Sequence, residues 1–581
     1  MPLIAKRVRG LAAVFLAGVA ALGTALAQPA PESGSGWTHK EVVTSRLWMV
    51  AAANPHAVET GHRILAAGGN AVDAAIAVQM VLGLTEPQSS GIGGGAFLLV
   101  HDAKRRRLVA WDGRETAPAA ARPDRFLRDG RPMTFFEAVV GGRSVGVPGT
   151  LRMLEAAHRE HGRLPWARLF DDAITLADTG FAVSPRLHRL LAVERHMTQP
   201  RIRDYFFGAD GKPVPVGTVL RNPAYAQTLR AVARGGADAF YTGAIAQDIV
   251  TTVTTAANPG DLTLADLEGY KAIERAPLCG GYRGYRVCGV PLPSSGTLSI
   301  LQMLRMLEPY DIAAMGPASF WSVHFVSEAG RLAFADRSVY EADPAFYRAP
   351  AFLLADDYLR ERSQLIRPDA SMGRAAPGEP PVAAHKAAWG RDAALDLPST
   401  SHISIVDRDG NAVAMTTSIE NQFGSRLMTA GGFLLNNQLT DFSFVPEDQG
   451  KPVANRVEGG KRPRSSMAPT IAYDADGRVA IVTGSPGGSA IINYVAKTLL
   501  AIIDWRLDPQ AAVALPNFGS RNGPTELEAG TPVADLAPKL KALGAEVAVV
   551  ELTSGAQAIV RTRTGWIGGA DPRREGIVMG Q

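Results

Sequence analysis

A chain of 581 residues with 46% hydrophobic and 20% charged residues has ample material for a core, and its composition is that of an ordinary globular protein. A formal net charge of +4 excludes a strongly polybasic or acidic binder, and no long low-complexity linker divides the chain. With only two cysteines and no His/Cys cluster at metal-ligand spacing, neither a metal nor any other cofactor is expected.

Lys6, Arg7 and Arg9 precede an apolar run from Leu11 to Leu26, and Ala25-Leu26-Ala27 offers a small-residue cleavage site before Gln28. The pattern predicts a signal peptide over residues 1–27 and a periplasmic or secreted protein. The run is short and rich in Ala and Gly for a membrane anchor, so no stable anchor is expected. Removing three basic and no acidic residues brings the net charge from +4 to +1, so nothing points to nucleic acid. Residues 28–45 are polar and rich in Pro, Ser and Gly, which predicts a disordered lead-in.

His56–Ala67 reads as a helix closed by Gly68-Gly69. Asn70 then caps a second helix, Ala71–Leu84, apolar on nearly every face and hence buried. The Gly-rich turn Ser89–Gly95 lacks the Gly-Lys-Ser/Thr ending of a phosphate loop and predicts close backbone packing instead. Strands follow at Ala96–Val100 and Val109–Trp111, and Lys104–Arg107 between them is a solvated turn. From Thr150 to Tyr241 the chain is mostly helical, and Thr263 caps a further helix. Cys279 and Cys288 flank a hairpin. A two-residue turn would set them opposite and a bulged three-residue turn would not, so the spacing leaves a disulfide open. Helices follow from Gly296 to Leu307 and from Phe320 to Phe334. Residues 363–399 lose apolar periodicity and predict an exposed, loose tail.

The tail leads into a hairpin. Thr400, His402 and Ser404 alternate with Ser401, Ile403 and Ile405, and Gly410 suits the left-handed position of a three-residue loop. In that register Thr400 lies opposite Ser418. Ile403, Ile405, Val413 and Met415 form the packing face, and the hydroxyl-rich face is expected to be open. Beyond it the chain is strand-rich, with hairpin signals at Asp474–Gly477 and Arg563–Gly565 and helices near Ala490–Leu507 and Val533–Leu543.

Thr400-Ser401-His402, Asn436–Phe442, Lys461–Met467 and Thr483–Ser489 occur in the order found in the small subunit of the γ-glutamyltranspeptidases (glutathione hydrolases). Asp112–Glu115, Ser90–Gly95 and Pro293–Gly296 agree upstream, so the chain resembles that family from about residue 45 to 580. The resemblance implies an α+β fold: the four-layer αββα sandwich of the N-terminal-nucleophile hydrolases, with extra helices in the N-terminal part. It implies autocatalytic cleavage between Ser399 and Thr400, giving a large subunit from 28–399 and a small one from 400–581 that stay associated. Thr400 would be nucleophile and, through its freed α-amine, base; such an amine has a reference pKa near 8. Ser418 matches the hydroxyl that bonds the nucleophile, and Gly487 and Gly488 the oxyanion hole. Arg114, Ser465 and Ser466 match the clamp on the substrate α-carboxylate. Gln438 and Asp441 match the acceptors of its α-ammonium, with Asn437 beside them. Glu420 departs from the family's asparagine, and the lid segment between Phe442 and Lys461 is short and lacks tyrosine. The expected substrate is glutathione or another γ-glutamyl amide. A same-fold acylase for glutaryl (cephalosporin-type) amides is the alternative, and an inactive binding homologue the second.

Overall fold

The computed structural model describes residues 34–379, 389–394 and 399–581. The expected signal peptide and residues 28–33 of the expected lead-in lie outside them. No described helix is long and apolar enough to cross a membrane.

Two seven-stranded antiparallel sheets form the centre. The first runs Ile577–Gly580, Met49–Ala52, Thr400–Val406, Ala412–Ser418, Gly95–Asp102, Arg107–Gly113, Ile273–Arg275. The second runs Val43–Ser45, Trp566–Ala570, Gln557–Arg561, Val479–Gly484, Thr470–Tyr473, Tyr285–Gly289, Leu278–Tyr282. Both sheets mix strands from either side of the Ser399–Thr400 bond.

Helices Pro55–Ala66 and Ala71–Thr85 pack on the first sheet, against Ile403, Ile405, Val413 and Met415. The second helix starts where expected because Asn70 and Asp73 form a capping box. Asn70 accepts from the Val72 and Asp73 N–H groups at 3.0 Å, and Asp73 accepts from that of Asn70 at 3.0 Å. Helices Gly296–Leu307, Phe320–Tyr340 and Ile491–Ile503 share the other large core with the second sheet. Helix, sheet, sheet, helix is thus the layering, an α+β sandwich.

The hairpin has the expected register. Thr400 pairs with Ser418, Asp407 N–H bonds Asn411 O at 3.0 Å, and Gly410 takes φ 86°. Its hydroxyl face, however, is not open. Every residue of both strands is buried, because the second sheet closes over that face. His402 makes the fit explicit: a Cβ on Gly484 would lie 2.3 Å from its ring. Its Nδ1 meets Thr416 Oγ1 at 2.9 Å and its Nε2 meets Ser404 Oγ at 2.9 Å. Alternation in sequence reveals polarity but not what stacks upon it, and small hydroxylated side chains let two sheets close.

Burial holds the His402 pKa down at about 3, so the folded ring is neutral. An unfolded histidine takes up a proton near pH 6.5. Between pH 6.5 and 3 the unfolded state therefore binds more protons, and stability falls as the pH is lowered through that window. His402→Gln is expected to lose less melting temperature than the native chain between pH 6.5 and 5. Equal pH slopes in thermal melts would rule out this role for the histidine.

Three further expectations meet the structure. Residues 34–45 are tied down rather than disordered. Ser35 and Thr38 donate backbone N–H groups to Arg573 O and Pro572 O, both at 2.9 Å, and Val43–Ser45 is an edge strand. Lys40 Nζ donates to Asp571 O at 2.7 Å, to Arg574 O at 2.6 Å, and to Gly576 O. Polar composition could not reveal that the C-terminal loop offers these carbonyls. The described parts of 363–399 also pack. Ile366 and Ala375 are buried, and Met372 N–H bonds Glu328 Oε2 at 2.8 Å. Residues 380–388 and 395–398 lie outside the described set. Finally, Tyr282 pairs with Tyr285 across a two-residue turn, which sets Cys279 opposite Cys288, and the two form a disulfide.

Candidate active site

The paired ends of the hairpin carry Thr400 and Ser418 to the edge of a cavity. Ser418 Oγ is the hub. It accepts from Thr400 Oγ1 at 3.3 Å and from Glu420 N–H at 2.9 Å, and it donates to Ser399 O at 2.6 Å. Ser399 Oγ in turn donates to Gln88 O, and Ile419 N–H bonds Ser89 O at 3.3 Å. The turn Ser89–Gly95 therefore packs backbone to backbone beside the hairpin end. A Cβ on Gly94 would stand 2.2 Å from Ser418 O, and one on Gly93 2.1 Å from Leu434 O.

Gly487 and Gly488 follow strand Val479–Gly484 and open the helical segment running to Ile503. Their φ values of 137° and 56° are ones that favour glycine, and Gly488 lines the cavity beside Thr400. The first N–H groups of a helix have no partner within it, so this end can offer donors to an oxyanion.

Arg114, Asp441, Ser465 and Ser466 line the same cavity. Arg114 is 1% exposed and is no surface ion pair. Its backbone N–H bonds Asp112 Oδ1 at 2.8 Å, at the close of strand Arg107–Gly113. Its guanidinium donates to Asp441 Oδ2, to Pro463 O at 3.1 Å and to Arg464 O at 2.8 Å. The neighbouring Glu115 is fully buried, and burial pushes its carboxyl up to about 8, so at neutral pH it leaves the arginine's charge to Asp441.

Gln438 lines the cavity; its Nε2 donates to Asp441 Oδ2 at 2.6 Å, while its buried Oε1 takes no hydrogen bond. Glu420 lines the cavity too, although the strand stops at Ser418 and Glu420 turns with φ 76°. Asn437 does not line it. Its Nδ2 donates to Glu420 Oε2 and to Thr440 Oγ1 at 3.0 Å, so it braces Glu420 from behind. The short segment after Phe442 carries a two-strand turn, Glu447–Asp448 with Lys451–Pro452, and Asn455 Nδ2 holds Asp441 O at 2.8 Å.

Sequence reasoning missed two neighbours. Arg574 Nη1 donates to Thr400 O at 3.4 Å, and Arg337 Nη2 donates to Ser466 Oγ at 2.7 Å. The run Asp571–Gly576 is conspicuous for its charge, but nothing local tells that it folds back over the hairpin.

The chain matches the model of the gamma-glutamyltranspeptidase family over residues 57–581. It is 37% identical to the glutathione hydrolase proenzyme of Bacillus subtilis (strain 168), across 87% of this chain and 86% of that protein. It is 35% identical to the glutathione hydrolase proenzyme of Escherichia coli (strain K12), across 97% of each. Among solved structures, cephalosporin acylase from Bacillus halodurans superposes with a TM-score of 0.81 at 28% identity, covering 95% of this chain and 99% of that one. With this match over most of its length, and with a buried threonine at the head of a sandwich strand, the chain belongs to the γ-glutamyltranspeptidase family of N-terminal-nucleophile hydrolases.

Proposed function

We propose that the chain is the precursor of an exported γ-glutamyltransferase and glutathione hydrolase that cuts itself between Ser399 and Thr400. One observation carries the reading. Ser418 Oγ touches both the hydroxyl that would attack and the carbonyl it would attack. Thr400 Oγ adds to the Ser399 carbonyl carbon while Ser418 donates to its oxygen. The C–N bond then breaks as the Thr400 hydroxyl proton passes to the nitrogen, leaving Ser399 as an ester on Thr400 Oγ and freeing the α-amine. Water hydrolyses that ester and releases the Ser399 carboxylate. The new amine stands beside its own hydroxyl and, with a reference pKa near 8, serves as base.

In turnover the Thr400 hydroxyl attacks the γ-carbonyl of the substrate and its proton passes to the α-amine. The oxyanion forms at Gly487 and Gly488, a contribution of about 3–4 kcal/mol per donor. Collapse expels the amine product, which takes that proton, and leaves a γ-glutamyl-threonine ester. Water or the amine of an amino acid or peptide then accepts the acyl group. Arg114, Ser465 and Ser466 hold the α-carboxylate, and Gln438, Asp441 and Glu420 the α-ammonium. Mass spectrometry of the purified protein, together with release of anilide from γ-glutamyl-anilide, tests the reading. An intact chain without turnover would reject it.

Cleavage of glutaryl amides is the second reading, favoured by the likeness to a cephalosporin acylase. Glu420 separates the two. Glu420, Asp441 and Gln438, whose Oε1 takes no hydrogen bond, all line the cavity and offer acceptors that suit a cation. The native enzyme is expected to prefer γ-glutamyl over glutaryl amides, and Glu420→Gln to lose about 1–3 kcal/mol of that preference. Paired kcat/KM values check this, and equal native rates on both amides would hand the site to the acylase reading.

A further inference from the structure

Behind the serine pair lies a guanidinium that this reading does not use. Arg337, on helix Phe320–Tyr340, is 5% exposed. Its Nη2 donates to Ser466 Oγ at 2.7 Å and its Nε to Ser295 Oγ at 2.8 Å. Ser295 donates its own hydroxyl proton to Ser465 O at 2.6 Å, and Ser294 Oγ donates to Met467 O. The turn Pro293–Gly296 thus clasps the loop 465–467, so closely that a Cβ on Gly296 would lie 2.7 Å from Ser466 O.

A serine hydroxyl has one proton and two lone pairs, whereas a guanidinium has only protons to give. Arg337 therefore fills a lone pair of Ser466 and leaves the serine proton to be donated elsewhere. Ser466 borders the cavity, so that proton is available to a ligand there. Ser465 Oγ is occupied in the same sense by Met467 N–H at 3.1 Å. We infer that Arg337 is a positioning residue which, by filling one lone pair of Ser466, biases that hydroxyl toward donating into the cavity and so favours acyl groups bearing a carboxylate beside it. The inference rests on the γ-glutamyl reading of the cavity. Charge works in the same direction. Glu341, just past the end of the helix, is buried, and burial pushes its carboxyl up to about 8. At neutral pH it is protonated and does not cancel the guanidinium.

The test compares three anilides: γ-glutamyl, glutaryl (carboxylate, no amine) and 4-aminobutanoyl (amine, no carboxylate). Arg337→Met is expected to raise KM at least tenfold for the first two, with kcat within threefold. The kcat/KM for the third, read at high enzyme concentration, is expected to stay within twofold. Arg337→Lys, which keeps a donor, is expected to recover part of the loss. Combined with Ser466→Ala, Arg337→Met is expected to add less than twofold. Equal losses on all three anilides, or fully additive losses with Ser466→Ala, overturn the inference and leave the γ-glutamyl reading standing. A native enzyme that cleaves the 4-aminobutanoyl amide as well as the γ-glutamyl one removes both. If Arg337→Met yields no processed protein, Arg337→Lys carries the comparison. Should neither process, Arg337 is a structural member of the core and the inference fails.

Discussion

Thr400→Ala is expected to give a single full-length band on a denaturing gel and no measurable release of anilide. The hairpin register sets the Thr400 hydroxyl against Ser418, which also holds the Ser399 carbonyl. Alanine removes the attacking oxygen from both self-cleavage and turnover, so the loss is of order 10⁴-fold or more. The fold is expected to persist, since one small side chain at the cavity edge contributes little to either core. Two bands from the variant would show that another group cuts the chain. Thr400→Ser, which restores a hydroxyl, is expected to process slowly.

Arg114→Lys is expected to raise KM for γ-glutamyl amides by about 30- to 100-fold while self-cleavage proceeds. Lysine offers a point charge in place of a planar fork, and a lost charge-assisted hydrogen bond costs about 2–3 kcal/mol. Arg114 also bonds Pro463 O and Arg464 O, so the shorter-reaching ammonium leaves loop carbonyls wanting partners near Ser465. The Ser399–Thr400 bond, by contrast, is held by Ser418 and Gln88, which arginine does not touch. Measuring KM alongside the processed fraction separates the two roles. Processing that fails in step with binding would mark Arg114 as a structural residue.

Much of the site can be read from residues close in sequence, because short-range rules govern it. The hairpin register follows from period-two alternation and Gly410, and the start of helix Ala71–Thr85 from Asn70 and Asp73. The family motifs name the residues that the cavity gathers. What stays hidden is set by distant partners. The face of His402 looks exposed until Gly484 closes on it, and Lys40 looks like part of a polar tail until three carbonyls surround it. Arg337 sits in a helix whose burial on every side masks any functional face. Asn437 reads as a ligand by its neighbours in the chain, yet its amide points to Glu420 and Thr440.

The weave of the two sheets changes what cleavage means for the protein's lifetime. Met49–Ala52 lies between Ile577–Gly580 and Thr400–Val406, and Thr470–Tyr473 pairs with Tyr285–Gly289. If the Ser399–Thr400 bond is cut as proposed, neither polypeptide owns a complete sheet, so dissociation would require both to come apart together. Before the cut, refolding is a unimolecular search; afterwards the same sheets must be assembled from two chains, and recovery depends on concentration. On the proposed cleavage, a denatured precursor would return at any dilution, whereas a denatured cleaved protein would be lost once its halves drift apart. For the exported, cleaved protein proposed above, persistence would rest on the height of the unfolding barrier rather than on equilibrium stability.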